Sequence, residues 1–206
     1  MKKSIYSLVL SDEVVEKADA LAYQMHTSRS NIINQLLAER LSCVTPEMRM
    51  QSVFSSMESL KETFRMLEQT SAHILAMQSQ LNYKYKPTLQ YSVDLYRTPE
   101  NGQAGKLRIQ LRTQNQNLLL SLEEFFKLWI LLEQHYLHTD AEYQLSAGRL
   151  ERSLKNSAGS EQEFGQLLSD YVRRFDRYIQ AWFSGSPPET LENAFRQEIK
   201  EIQKSI

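Results

Sequence analysis

Residues 1–41 read MKKSIYSLVLSDEVVEKADALAYQMHTSRSNIINQLLAERL, and the expected fold turns on how they are divided. Residues 4–10 alternate, with Tyr6, Leu8 and Leu10 on one side and Ile5, Ser7 and Val9 on the other, the period-two signature of a strand. No partner strand follows nearby, so its mate must come from elsewhere. Ser11 stands where it can cap a helix, and Asp12 and Glu13 suit the positive first turn. Val14, Ala18, Leu21 and Met25 then recur at helical spacing, which predicts a helix over about 12–25. His26-Thr27 makes a break and Ser28 offers a second cap. Ile32, Ile33, Leu36, Leu37 and Leu41 form the apolar stripe of a second helix, closed off before Pro46.

This order of strand, helix, turn and helix resembles the ribbon-helix-helix superfamily of Arc, MetJ and CopG type. The closest likeness lies in Leu10-Ser11-Asp12 before the first helix and in Thr27-Ser28-Arg29-Ser30-Asn31-Ile32-Ile33 opening the second. The resemblance covers the first fifth of the chain and implies a homodimer whose two strands pair into an antiparallel ribbon in the DNA major groove. Carried onto this sequence, it places Lys3, Ile5, Ser7 and Val9 toward the bases. Tyr6, Leu8, Leu10, Ile33 and Leu37 fall in the dimer core, and Lys2, Ser28, Arg29 and Ser30 on phosphates. The base-facing set departs from the family's habit of Arg, Lys, Asn, Gln or Thr, side chains that reach base edges with directional hydrogen bonds. Ser7 alone does that well, and Ile5 and Val9 suit thymine methyl groups. At the second helix, backbone N–H groups, two hydroxyls and a guanidinium meet at a helix N-terminus that already favours an anion. His26 stands where the family often has glycine.

Beyond Pro46 the pattern changes. With Met50 at position a, the d positions Val53, Leu60, Leu67, Ile74 and Leu81 are all apolar, as are Met50, Met57 and Phe64 at a. This predicts a long helix over 46–83 with coiled-coil character, packed either in a bundle or as a two-stranded coil. A β-hairpin is expected at about 87–113: Leu89, Tyr91, Val93 and Leu95, a turn at Thr98-Pro99-Glu100-Asn101-Gly102, then Leu107, Ile109 and Leu111. Helices are expected over about 117–137, 140–156, 161–183 and 189–204. The fold class expected is mostly α with minor β, with residues 1–45 a ribbon-helix-helix unit and 46–206 a helical region carrying the hairpin.

Of 206 residues, 24 are Lys or Arg and 25 Asp or Glu, a formal charge of −1, with 41% apolar and 24% charged. That composition is neither disordered nor membrane-embedded. The single cysteine, Cys43, excludes an intramolecular disulfide framework. The apolar run after Lys2-Lys3 is too short for a signal peptide and meets Asp12 and Glu13 without a cleavage site, and Glu123, Glu124 and Lys127 interrupt Leu118–Leu132, so a cytoplasmic location is expected. Net charge is near zero over 1–45, positive over 84–112 and negative over 113–206. On the basic hairpin, Lys106, Arg108 and Arg112 share an outer face, and Tyr83 and Tyr85 interleave with Lys84 and Lys86. That face is either solvated or a second nucleic-acid contact.

No catalytic constellation is legible. Gly102–Leu107 lacks the first glycine, the hydroxyl residue and the helix of a phosphate loop. His135, His138 and Asp140 sit at a helix end ill suited to a metal site, and no cofactor is implied. The expected function is sequence-specific binding of double-stranded DNA as a homodimer, used in transcriptional control, with residues 46–206 serving assembly, an effector or an unidentified partner. Two alternatives stand: a plasmid partition or mobilisation accessory using the same domain, and a scaffold or antitoxin-like protein.

Overall fold

The computed structural model describes residues 7–69 and 71–204. Two helices come first, α1 (Asp12–Gln24) and α2 (Arg29–Arg40), then α3 (Pro46–Ser56) and a 3-10 turn at Glu58–Glu62. Strands β1 (Arg65–Met66), β2 (Ile74–Gln80), β3 (Thr88–Glu100) and β4 (Gln103–Leu111) follow. Next are α4 (Gln116–Tyr136), the short strands β5 (Tyr143–Ser146) and β6 (Arg149–Leu154), and the helices α5 (Glu161–Phe183) and α6 (Pro188–Lys204). All strand pairings are antiparallel, in the order β1-β2-β3-β4-β6-β5.

This α+β architecture overturns the expected mostly helical class and its strand-helix-helix beginning. Residues 7–10, the described part of the expected strand, are exposed and belong to no strand. A strand needs an antiparallel neighbour about 4.8 Å away to complete its backbone hydrogen bonds, and none lies beside them among the described residues. The long helix over 46–83 is also corrected. Thr45 caps α3 by accepting from the Met48 N–H at 3.1 Å, with Pro46 in its first turn, so the proline opens a helix rather than closing a unit. The helix stops at Ser56, and Ile74–Gln80 is a strand. The helix expected over 140–156 is the β5–β6 hairpin, whose register pairs Ser146 with Arg149 across Ala147-Gly148, with Gly148 at φ 71°.

The hairpin of β3 and β4 matches its expectation, with a tighter turn. Glu100 pairs with Gln103, leaving Asn101 and Gly102 as a two-residue loop with φ 51° and 78°. Positive φ at both positions is the type I′ geometry that suits the twist of flanking strands. The helices expected over 117–137, 161–183 and 189–204 are present as α4, α5 and α6.

One face of the sheet is dry. Leu89, Tyr91, Val93 and Leu95 of β3, Leu107, Ile109 and Leu111 of β4 and Leu150 of β6 are buried with α3, α4, α5 and α6 in one hydrophobic cluster. Two buried carboxylates lock that layer. Asp176 of α5 accepts from Tyr91 Oη at 2.7 Å and Ser79 Oγ at 2.6 Å. Glu133 of α4 is fully buried and accepts at Oε2 from Tyr143 Oη, Tyr171 Oη and Arg152 Nε. Burial and the Asp176 charge drive the Tyr91 hydroxyl well above the usual tyrosine range, so it stays protonated and donates. Among the described residues no helix is long and apolar enough to cross a membrane.

Helices α3 and α5 meet at Gly165, where an added Cβ would lie 2.4 Å from the Val53 carbonyl oxygen. Backbone cannot yield as a flexible side chain does, so Gly165→Ala is expected to destabilise the chain by about 1–3 kcal/mol. Urea unfolding of wild type and variant checks this.

Candidate nucleic-acid interface

Residues 7–40 form a unit of their own. Helices α1 and α2 close on Ala18, Ala22, Ile32 and Ala38, which are buried but lie outside the main cluster that begins at Met50. Three small alanines leave the pair little apolar burial to stabilise it. A cleft of about 500 Å³ separates its turn from the body, lined by Met25, His26, Gln51, Phe54 and Met66 among others.

The turn explains the absence of glycine. Thr27 N–H donates to the Ala22 carbonyl at 2.9 Å and His26 N–H to the Tyr23 carbonyl at 3.2 Å, the paired bonds of a Schellman end, with His26 in the left-handed region at φ 49°. Ser28 then starts α2 and accepts from the Asn31 N–H at 3.3 Å. Ser11 holds the cap position of α1 without a side-chain cap bond.

The structure distributes the expected site residues unevenly. Lys2, Lys3, Ile5 and Tyr6 lie outside the described residues. Ser7 and Val9 are exposed, as are the expected core residues Leu8 (61%), Leu10 (38%) and Leu37 (49%), while Ile33 is half-buried. Val14, Leu36 and Leu41 add to this uncovered apolar surface. Ser28, Arg29 and Ser30 come together at the α2 N-terminus, all exposed. The backbone N–H groups of a helix's first turn have no intrahelical acceptor, so Arg29 and Ser30 present theirs to an incoming oxygen.

One partner was not legible in the sequence. Arg29 reaches back to α1, where its Nε and Nη2 donate to Asp19 Oδ1 and Oδ2, both at 2.5 Å. These hydrogen bonds hold the Asp19 carboxyl below its usual range and raise the Arg29 guanidinium. The pair is bidentate, the geometry in which a guanidinium also takes a phosphate, and half-exposed, so solvent reaches it. The only signal in the sequence is the opposite charge ten residues earlier.

Among the described residues no three His, Cys, Asp or Glu side chains are grouped to hold a metal ion, and Cys43 is a free, exposed thiol. Comparisons with family models, with curated proteins and with solved structures return no match to this chain.

A non-glycine residue in the left-handed region carries a penalty of about 1 kcal/mol. His26→Gly is therefore expected to slow amide exchange across residues 22–32, and His26→Val to speed it, in hydrogen-exchange mass spectrometry of the full chain.

Proposed function

We propose that this chain binds double-stranded DNA as a homodimer and serves as a cytoplasmic transcriptional regulator, with its N-terminal unit on the operator. The observation that carries the reading is the helical pair: it stands apart from the main core, leaves apolar side chains uncovered and presents Ser28-Arg29-Ser30 at a helix start. The reading rests on this exposed helix start, which favours an anion, and not on a ribbon-helix-helix fold, since residues 7–10 form no strand.

The parts divide by chemistry. The α2 N-terminus takes a phosphate through two backbone N–H groups, the Ser30 hydroxyl and an Arg29 guanidinium released from Asp19. Lys2 and Lys3 add positive charge to the same unit. A second copy covers exposed apolar side chains of this unit such as Leu8, Leu10, Leu36, Leu37 and Leu41. Residues 46–206 form the body that assembles with an effector or partner.

Fluorescence anisotropy on a duplex from the region upstream of the chain's own reading frame tests this. Wild type is expected to bind as two chains per duplex, with a slope in log salt on the order of −5 for about six neutralised phosphates. Arg29→Ala weakens binding, and Asp19→Asn tightens it by freeing Arg29. No binding by wild type at low salt would overturn the reading.

A further inference from the structure

The outer face of the sheet carries a pattern that the N-terminal unit leaves unused. Strand register places Arg65 opposite Gln78, Gln78 opposite Gln90, Gln90 opposite Gln110, Gln110 opposite Arg149, and Arg149 opposite Ser146. Directly opposed residues share a face, so one polar row crosses all six strands. Within it Gln110 Nε2 donates to Gln90 Oε1 at 3.2 Å. At about 4.8 Å per strand the row is about 24 Å long.

Beside the row sits an unbalanced charge cluster. Arg108 Nε lies 2.7 Å from Glu151 Oε1, Arg149 Nη2 lies 3.1 Å from the same oxygen, and Lys106 Nζ lies 3.9 Å from Oε2. Three cations share one carboxylate. Burial pushes the Glu151 carboxyl up, but Arg108, Lys106 and Arg149 outweigh it and hold the group below its usual range. Glu151 is therefore ionised at neutral pH and the cluster keeps two positive charges in excess. Asp94, opposite Lys106, is a further acid on this face.

On the helices Lys17 pairs with Glu13 and Lys127 with Glu123, while Arg174 and Arg177 share Glu198. Arg65 at one end of the row, and Arg112 just past β4, are exposed and have no carboxylate within 4.0 Å among the described residues.

We propose that this outer face is a second DNA-contact surface, laid against the phosphate backbone of duplex flanking the site held by the N-terminal unit. The identity of the polyanion rests on the DNA reading above; the placement rests on the sheet. Width decides the mode of contact. A face about 24 Å across cannot enter a major groove about 12 Å wide, so it lies over the backbone. It then offers Arg, Lys and glutamine donors to phosphate oxygens, which position the protein without reading sequence.

The test uses the full chain with two duplexes, one holding only the operator and one extended on both sides by unrelated sequence. Wild type is expected to bind the longer duplex about tenfold tighter at low salt, with a steeper salt slope. Both the triple variant Lys106→Gln, Arg108→Gln, Arg149→Gln and the double variant Arg65→Gln, Arg112→Gln lose that gain and still bind the short duplex. Glu151→Gln enlarges the gain and steepens the slope by about one. The double variant touches only exposed, unpaired side chains, so it decides the matter even if the triple variant fails to fold. Equal binding of the two duplexes by wild type, or a double variant that keeps the gain, overturns this inference and leaves the N-terminal reading intact. Loss of short-duplex binding in the sheet variants, with none in Arg29→Ala, overturns the N-terminal contact instead. Absence of binding to either duplex overturns both.

Discussion

Phe175 of α5 sits fully buried between the sheet and the helical layer, with ring centroids 5.0 Å from Trp129, 5.5 Å from Phe125, 6.1 Å from Tyr91 and 6.2 Å from Phe126. Most of these contacts are edge-on, the arrangement aromatic quadrupoles favour, each contributing about 0.5–1.5 kcal/mol beyond burial. Through this side chain α4, α5 and β3 hold one another at fixed distance, and Phe195 joins α6 by packing edge-on to Trp129 at 5.5 Å. The next residue, Asp176, binds Tyr91 and Ser79 of the sheet. Glu133 and Arg152 fix the far side of the sheet in the same way. Breaking such a buried pair by removing one partner costs about 3–5 kcal/mol, because the other charge is left stranded. With its dry face closed, the sheet has a single face left for water, and the glutamine row and basic cluster lie there.

The N-terminal unit is built on the opposite terms. Its interior is three alanines and Ile32, and its larger apolar side chains point outward. A segment of about 40 residues with so small a core generally needs a partner to be stable. The proposed homodimer would supply such a partner, since α1 and α2 pack chiefly on each other. The Arg29–Asp19 pair is bidentate and half-exposed, so the guanidinium stands open to solvent beside the helix start.

Legibility followed the length and clarity of each period. Helices over 116–136, 161–183 and 188–204 had long apolar stripes and turn residues at their ends, and the 88–111 hairpin had strict alternation around Asn101-Gly102. The heptad pattern of 46–83 does not make one helix because its apolar residues come from three structures in succession: Met50, Val53 and Met57 from a helix and its cap, Leu60 and Phe64 from a 3-10 turn and the residues after it, and Ile74 from a strand. Periods of 3.5 and 2 share enough positions for one stripe to imitate the other. At 140–156 the alternation of Tyr143 and Leu145 against Leu150 and Leu154 was present, and Ala147-Gly148 was the overlooked turn. At the site, the α2 cap and the helix break were legible from Ser28 and His26. The Asp19 partner was not, since it depends on how two helices cross. The six-strand row was hidden because it requires register across residues from 65 to 149.

The central claim is that DNA lies against both the N-terminal unit and the outer face of the sheet. Photo-cross-linking of the full chain to an operator duplex with flanking sequence that carries azidophenacyl groups on backbone phosphorothioates, followed by peptide mass spectrometry, tests it most directly. The account predicts cross-linked peptides around residues 28–30 and from the outer face around 106–112. Cross-links confined to α5 and α6, or none at all under conditions where the duplex is intact, would contradict it.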